Sequence, residues 1–236
     1  MPHPVGKKCL CILGMHRSGT SCLTGIAQQY GVELGEVFTE NPHNRRGNRE
    51  HADIQALNND VLTCNGGNWD RPVEVRHWNE ELVDRRDRII EEISQRADIW
   101  WGFKDPRVML TLPFWQEGIG PMEFIGTFRH PFLVAQSIAK RDRKSIEEGI
   151  ALWLTYNRLM LKLRQQHHFP VVDFDMAESD YLKDVQQKLE RLGLTSEAPP
   201  DFFDSSLRHQ TEINADNCIM IDEVSMVFQE LNSAVA

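Results

Sequence analysis

The stretch from Lys8 to Ser21 reads KCLCILGMHRSGTS and joins a short apolar run to a loop that contains two glycines. An apolar run of this length that ends at a glycine predicts a buried strand over residues 8–13. A helix is expected to follow over residues 20–30. In a unit of strand, loop and helix, the loop N–H groups and the helix N-terminus point towards one position. The stretch therefore predicts an anion-binding loop.

The spacing of Gly14 and Gly19 is that of a nucleotide-binding P-loop, G-x-x-x-x-G. Thr20, however, occupies the position at which nucleotide-hydrolysing proteins need a lysine. Arg17 lies within the loop and is the available replacement cation. The spacing alone also fits a turn that only packs a helix against a strand. An anion-binding role for the loop therefore needs independent support from elsewhere in the chain.

The rest of the chain predicts alternating strands and helices. Further strands are expected over residues 99–103, 122–128 and 169–174. Helices are expected after Asn79, after Pro131, after the Ser145 and Glu148 capping box, and over residues 181–192. This alternation is typical of an α/β fold in which helices cover both faces of a parallel sheet.

The composition of the 236-residue chain, 41% hydrophobic with a net charge of −9, predicts one domain. We expect a core over residues 8–195 and a C-terminal extension over 196–236. The net negative charge disfavours nucleic acid and anionic membranes as partners. No apolar run has the length of a membrane helix or the pattern of a secretory signal, so we expect a cytoplasmic protein. The scattered cysteines, Cys9 and Cys11 among them, favour neither disulfides nor a metal site.

A second anion site is predicted where the third strand ends at Arg129. Ser137 follows eight residues later in the helix that begins at Pro131, and Arg141 lies on the same helix face. An arginine fork with a hydroxyl is suited to a second phosphate.

These two sites resemble those of the sulfotransferases that use 3′-phosphoadenosine 5′-phosphosulfate (PAPS). The family's 5′-phosphosulfate loop is similar to the residues from Arg17 to Ser21, and its 3′-phosphate site pairs an arginine with a serine eight residues later. Asn41-Pro42, Gly47 and Glu50, together with residues 101–107, are similar to segments of small soluble bacterial members. Residues 171–175 resemble the strand that closes the family's core sheet. The resemblance implies a P-loop three-layer α/β/α fold, a PAPS donor and no metal. The donor-binding residues that it implies are His16, Arg17, Ser18, Gly19, Thr20, Ser21, Arg129 and Ser137.

The resemblance also implies transfer of a sulfuryl group to an acceptor hydroxyl, with release of adenosine 3′,5′-bisphosphate. Lys104 is expected to offset charge on the leaving oxygen. The histidine base of many members corresponds to Pro106 here, so the base is sought elsewhere. Glu50 is our first candidate and His51 the second, because both lie at the start of a predicted helix near the ends of the strands.

Two other functions remain open from the sequence. A P-loop kinase for small molecules would need Mg²⁺, for which Asp173 and Asp175 are the acidic candidates. A non-catalytic nucleotide-binding module would keep the anion sites without turnover. The sequence leaves open whether the acceptor is a small molecule, a glycan or a lipid, the oligomeric state, and any role of Arg208 and His209.

Overall fold

A computed structural model of the chain describes residues 6–40, 47–203 and 222–235. Its strands are β1 (Lys8–Leu13), β2 (Trp100–Lys104), β3 (Glu123–Phe128) and β4 (Val171–Asp173). They form one sheet in the order β2-β1-β3-β4, and every neighbouring pair is parallel. The carboxyl ends of the strands therefore lie at one edge of the sheet, where ligands bind in open α/β folds.

The helices of the described residues are α1 (Thr20–Gln29), α2 (Ala52–Cys64), α3 (Glu80–Arg96), α4 (Val108–Ile119), α5 (Pro131–Asp142), α6 (Ile146–His167), α7 (Glu178–Arg191) and α8 (Asp222–Ser233). Three predicted helix starts are confirmed. Asn79 accepts a hydrogen bond from the backbone N–H of Leu82, and Pro131 is the first residue of α5. Ser145 and Glu148 form a reciprocal capping box at α6.

Apolar side chains alternate between the two faces of the sheet. In β1, Cys9 and Cys11 belong to a large hydrophobic cluster that also holds residues of α2 to α6 and of α8. Leu10 and Ile12 belong to a second cluster with residues of α1 and α7. Helices thus cover both faces, and the predicted three-layer α/β/α architecture is confirmed.

Two helices were not predicted from the sequence. α4 is buried along nearly all of its sides and contains Pro113, so it lacks the apolar periodicity that marks an amphipathic helix. α8 lies in the expected C-terminal extension, yet its Val224, Val227 and Leu231 pack into the larger cluster. None of the helices in the described ranges has the length and apolar character needed to cross a membrane.

Candidate active site

The loop between β1 and α1 is held in shape by its own backbone and by β3. Gly19 is the N-cap of α1 with φ of 81°, and Arg17 has φ of 70°. The hydroxyl of Thr127 in β3 donates a hydrogen bond of 2.9 Å to the carbonyl of Ser18. The Ser18 hydroxyl itself is buried and has no hydrogen-bond partner among the described residues. A buried hydroxyl of this kind fits a phosphate or sulfate oxygen.

Arg17 connects the two predicted anion sites. Its Nε donates a hydrogen bond of 2.6 Å to the hydroxyl of Ser137, which is buried in α5. Burial and the neighbouring cations Arg141 and Arg129 lower the pKa of Arg17 to about 10. Several arginines therefore surround one position, where a bound anion would relieve their mutual repulsion.

Arg129 lies buried at the end of β3, as its place in the sequence predicts. Its Nε donates a hydrogen bond of 2.9 Å to Oδ1 of Asp175. The ring of Phe174 lies beside it, with 5.6 Å between the guanidinium carbon and the ring centroid. The structure thus brings Arg129 to the same edge of the sheet as the loop, next to the residues that follow β4.

Glu50 and Lys104 form a buried ion pair at this edge, with 2.8 Å between Oε1 and Nζ. Nζ also lies 3.5 Å from the hydroxyl of Ser21 in the first turn of α1. Oε2 of Glu50 accepts hydrogen bonds from the side-chain amides of Gln55, at 2.8 Å, and Asn48, at 3.1 Å. The two catalytic candidates proposed separately from the sequence therefore meet beside the predicted anion-binding loop.

His51, the second candidate base, has a different position. Its Nδ1 accepts a hydrogen bond from the backbone N–H of Asp53, so it is the N-cap of α2. Its ring lies against Gly35, and it is absent from the lining of the cavity described below. Of the two base candidates, Glu50 is thus the one that faces the cavity.

A cavity of about 310 Å³ opens between the loop, the start of α2 and the end of α5. Its walls carry residues of the loop, Glu50 with its hydrogen-bond partners Asn48 and Gln55, and the two further arginines Arg107 and Arg141. The lining residues are His16, Arg17, Thr20, Ser21, Asn48, Glu50, Gln55, Trp69, Pro106, Arg107, Arg141 and Asp142. The volume lies in the range of small-molecule sites.

His16 is a neutral wall of this cavity. Its ring packs against Trp69, with 4.8 Å between the centroids, and meets Tyr156 edge-on. Its Nε2 is buried and bonds to none of the described residues. Burial and the cations of Arg107, Arg141, Lys104 and Arg17 hold the pKa of His16 well below 6.5. The imidazole is therefore uncharged at neutral pH and can accept or donate one hydrogen bond at Nε2.

The Asp105-Pro106-Arg107 turn supplies another cation to the cavity. Oδ1 of Asp105 accepts from the backbone N–H of Arg107 at 2.8 Å, and Nη1 of Arg107 donates to both carboxylate oxygens. Burial raises the pKa of Asp105, while the Arg107 charge opposes that shift. The sequence placed Arg107 next to a strand end, and its direction into the cavity follows from this turn.

Other cavity residues had weaker signals or none. Asn48 and Gln55 flank Glu50 in the sequence, but nothing in their pattern predicts that both hold its carboxylate. Arg141 shares a helix face with Ser137, which does predict its direction. Asn41, Pro42, Arg208 and His209 lie outside the part of the chain that the structure describes. Among the residues that the structure describes, no group of three or more His, Cys, Asp or Glu side chains is placed to hold a metal ion.

Comparisons with known proteins bear on the fold. No protein-family model and no curated protein matches the chain. Among solved structures it is similar to the sulfotransferase domain of the Synechococcus PCC 7002 olefin synthase, at 15% identity and a TM-score of 0.57, over 97% of each chain. It is also similar to the sulfotransferase domain from the curacin biosynthetic pathway, at 13% identity and a TM-score of 0.55, over 96% of this chain and 98% of that one. The chain therefore has the same fold as these two sulfotransferase domains.

Proposed function

We propose that this chain is a PAPS-dependent sulfotransferase that moves a sulfuryl group to an acceptor hydroxyl. One observation carries the proposal: the 2.6 Å contact of Arg17 with Ser137 joins the two predicted anion sites, beside the buried pair of Glu50 and Lys104. A donor with both a 5′-phosphosulfate and a 3′-phosphate needs two such sites. The names of the two structural neighbours support the same reaction class.

The residues of the loop fit the 5′ end of this donor. Backbone N–H groups at the start of α1, the buried Ser18 hydroxyl and the Arg17 guanidinium are anion ligands. His16, Thr20 and Ser21 line the cavity next to them. Arg129 and Ser137 are assigned to the 3′-phosphate.

Bound PAPS supplies a sulfuryl group whose leaving group is the 5′-phosphate. In our proposal, Glu50 accepts the proton of the acceptor hydroxyl as its oxygen bonds to sulfur. Lys104 lies between Glu50 and Ser21, so its ammonium can stabilise the negative charge that develops as the bond from sulfur to the leaving oxygen breaks. Adenosine 3′,5′-bisphosphate and the sulfated acceptor are the products.

The kinase alternative is less well supported by the same geometry. Oδ1 of Asp173 accepts a hydrogen bond from the backbone N–H of Asp175, and the Asp175 carboxylate forms an ion pair with Arg129. Thr20 stands where a P-loop kinase carries its lysine. Asp175 is thus engaged with a cation that we assign to a phosphate. The acceptor class (small molecule, glycan or lipid) and the cytoplasmic location remain expectations.

The donor assignment is tested by calorimetry with two nucleotides. Adenosine 3′,5′-bisphosphate is expected to bind about ten- to a hundredfold more tightly than AMP, because the extra charge-assisted contact is worth roughly 1.5–3 kcal/mol. Arg129→Ala should remove most of that difference. Equal binding of the two nucleotides by the wild-type protein would defeat the two-site donor.

Turnover is tested with ³⁵S-labelled PAPS and a panel of hydroxylated acceptors in the presence of a chelator. Transfer of label to an acceptor is the expected result. Tight bisphosphate binding without transfer to any member of a broad panel would favour the non-catalytic module. Phosphoryl transfer from ATP with Mg²⁺ would favour the kinase.

A further inference from the structure

Asp175 bridges two donors at the junction of β3 and α5. Its Oδ1 accepts the hydrogen bond of 2.9 Å from Nε of Arg129, and its Oδ2 accepts one of 2.8 Å from the backbone N–H of His130. The Arg129 side chain is 5% exposed and that of Asp175 is 24% exposed. One carboxylate therefore holds both a buried guanidinium and the backbone residue that precedes α5.

The segment that carries Asp175 is itself fixed in place. The backbone N–H of Asp175 donates to Oδ1 of Asp173 at 2.9 Å, and that of Phe174 donates to the carbonyl of Phe128 in β3 at 2.9 Å. The Phe174 ring packs against the loop so closely that a Cβ on Gly19 would lie 2.2 Å from it. The segment 173–175 thus contacts both predicted anion sites and is held beside Arg129 by these hydrogen bonds.

We propose that Asp175 is a positioning residue of the donor site, which orients Arg129 and the start of α5 for the 3′-phosphate. This inference rests on the proposed function. A carboxylate at the Nε edge sets the plane and direction of a guanidinium, because that edge presents its N–H in a fixed geometry. The bond to His130 N–H ties the same carboxylate to the helix that carries Ser137.

A purely electrostatic role of Asp175 predicts the opposite effect on binding of the 3′-phosphate. If the carboxylate only neutralised Arg129, removing its charge would strengthen binding of a 3′-phosphate dianion. If it positions Arg129, removing it weakens that binding. Asp175→Asn separates the two, because the amide keeps the size of the side chain but has a single acceptor oxygen for two donors.

The experiment measures the ratio of affinities for adenosine 3′,5′-bisphosphate and AMP by calorimetry. Asp175→Asn is expected to reduce this ratio at least about tenfold, with AMP affinity little changed because the 5′ site is intact. Asp87→Asn is the matched control: it removes a carboxylate from Nε of the buried Arg86 in α3, a pair that does not line the cavity, and should leave the ratio unchanged. A ratio that stays the same or rises in Asp175→Asn overturns the inference.

Unaltered AMP affinity also shows that Asp175→Asn is folded. If the variant fails to fold, Asp175→Glu takes its place, because it keeps the charge and displaces the carboxylate. A positioning role then predicts a reduced ratio, and an unchanged ratio contradicts it.

Arg129→Ala, measured in parallel, separates this inference from the proposed function. A ratio that Arg129→Ala does not change defeats the donor site as a whole, whereas a ratio sensitive to Arg129→Ala and insensitive to Asp175→Asn defeats only the role of Asp175.

Discussion

Glu50 combines the features of a base and those of a structural ion. Its carboxylate lines the cavity, but it also receives hydrogen bonds from Lys104, Gln55 and Asn48. These donors fix its direction towards the loop. A positioned carboxylate accelerates proton transfer roughly 10²–10⁴-fold. A negative charge near a helix N-terminus, by contrast, stabilises a fold by under about 1 kcal/mol.

We predict that Glu50→Gln lowers kcat at least about a hundredfold with the acceptor that the screen identifies, while bisphosphate affinity hardly changes. Lys104 loses its counter-ion in this variant, so a lower melting temperature is expected as well, and rates are measured well below it. Asp53→Asn removes a nearby exposed carboxylate of α2 and is the control, with normal turnover expected. Near-normal kcat in Glu50→Gln would exclude Glu50 as the base.

His16 gives a prediction for stability against pH. Its folded-state pKa lies below the ordinary value of about 6.5, so the unfolded chain binds more protons as the pH falls through that value. The free energy of unfolding therefore decreases below about pH 6.5. Burial also lowers the pKa of His130, which adds a contribution of the same sign.

The measurement compares denaturant unfolding of the wild type and His16→Gln from pH 7.5 to pH 5.5. The variant should lose less stability over this range, because the glutamine does not titrate while His130 is common to both proteins. Parallel curves for the two proteins would mean that His16 is protonated as easily in the folded state as in the unfolded one.

At the scale of the element, the join between β1 and α1 depends on a glycine at position 19. Gly19→Ala would place a Cβ 2.2 Å from the Phe174 ring on a residue with φ of +81°. We predict that the substitution lowers bisphosphate affinity at least about tenfold, because the loop or the segment 173–175 must move, and that it also lowers the melting temperature. Calorimetry and thermal denaturation measure the two effects.

Gly31→Ala is the matched control for this prediction. Gly31 has φ of +85°, but no atom lies within 4 Å of the position of an added Cβ. Its substitution should cost about 1 kcal/mol of stability from the backbone conformation alone. Bisphosphate affinity should stay normal. Equal losses of affinity in the two variants would show that close packing at Gly19 is unimportant.

At the scale of the molecule, α6 and α8 contribute to one hydrophobic cluster with β1 and β3, although α8 comes from the far end of the chain. We predict a single cooperative unfolding transition. Adenosine 3′,5′-bisphosphate at a hundred times its Kd should stabilise the folded protein by about 2.7 kcal/mol, which raises Tm by roughly 5–10 °C. Differential scanning calorimetry checks both results, and a second transition that the nucleotide leaves unmoved would indicate separate units.

The sequence by itself determined the local parts of this protein. The apolar run before Gly14, the cap at Asn79, the box at Ser145 and the proline at position 131 each constrain a few neighbouring residues, and their elements are confirmed. The predicted anion-binding chemistry of the loop is local in the same sense, because it depends on backbone N–H groups and the nearby Arg17. α4 was missed because a helix buried on nearly every side carries no periodic pattern.

Only the tertiary structure decided which distant residues meet. Arg17 contacts Ser137 across 120 residues of sequence, and Lys104 contacts Glu50 across 54. These contacts follow from the strand order β2-β1-β3-β4, which places the ends of β1, β2 and β3 side by side. The role of Asp175 as a partner of Arg129 depends in the same way on β4 lying next to β3. Local patterns specify strands and turns, whereas the neighbours of a strand are decided by the packing of the whole chain.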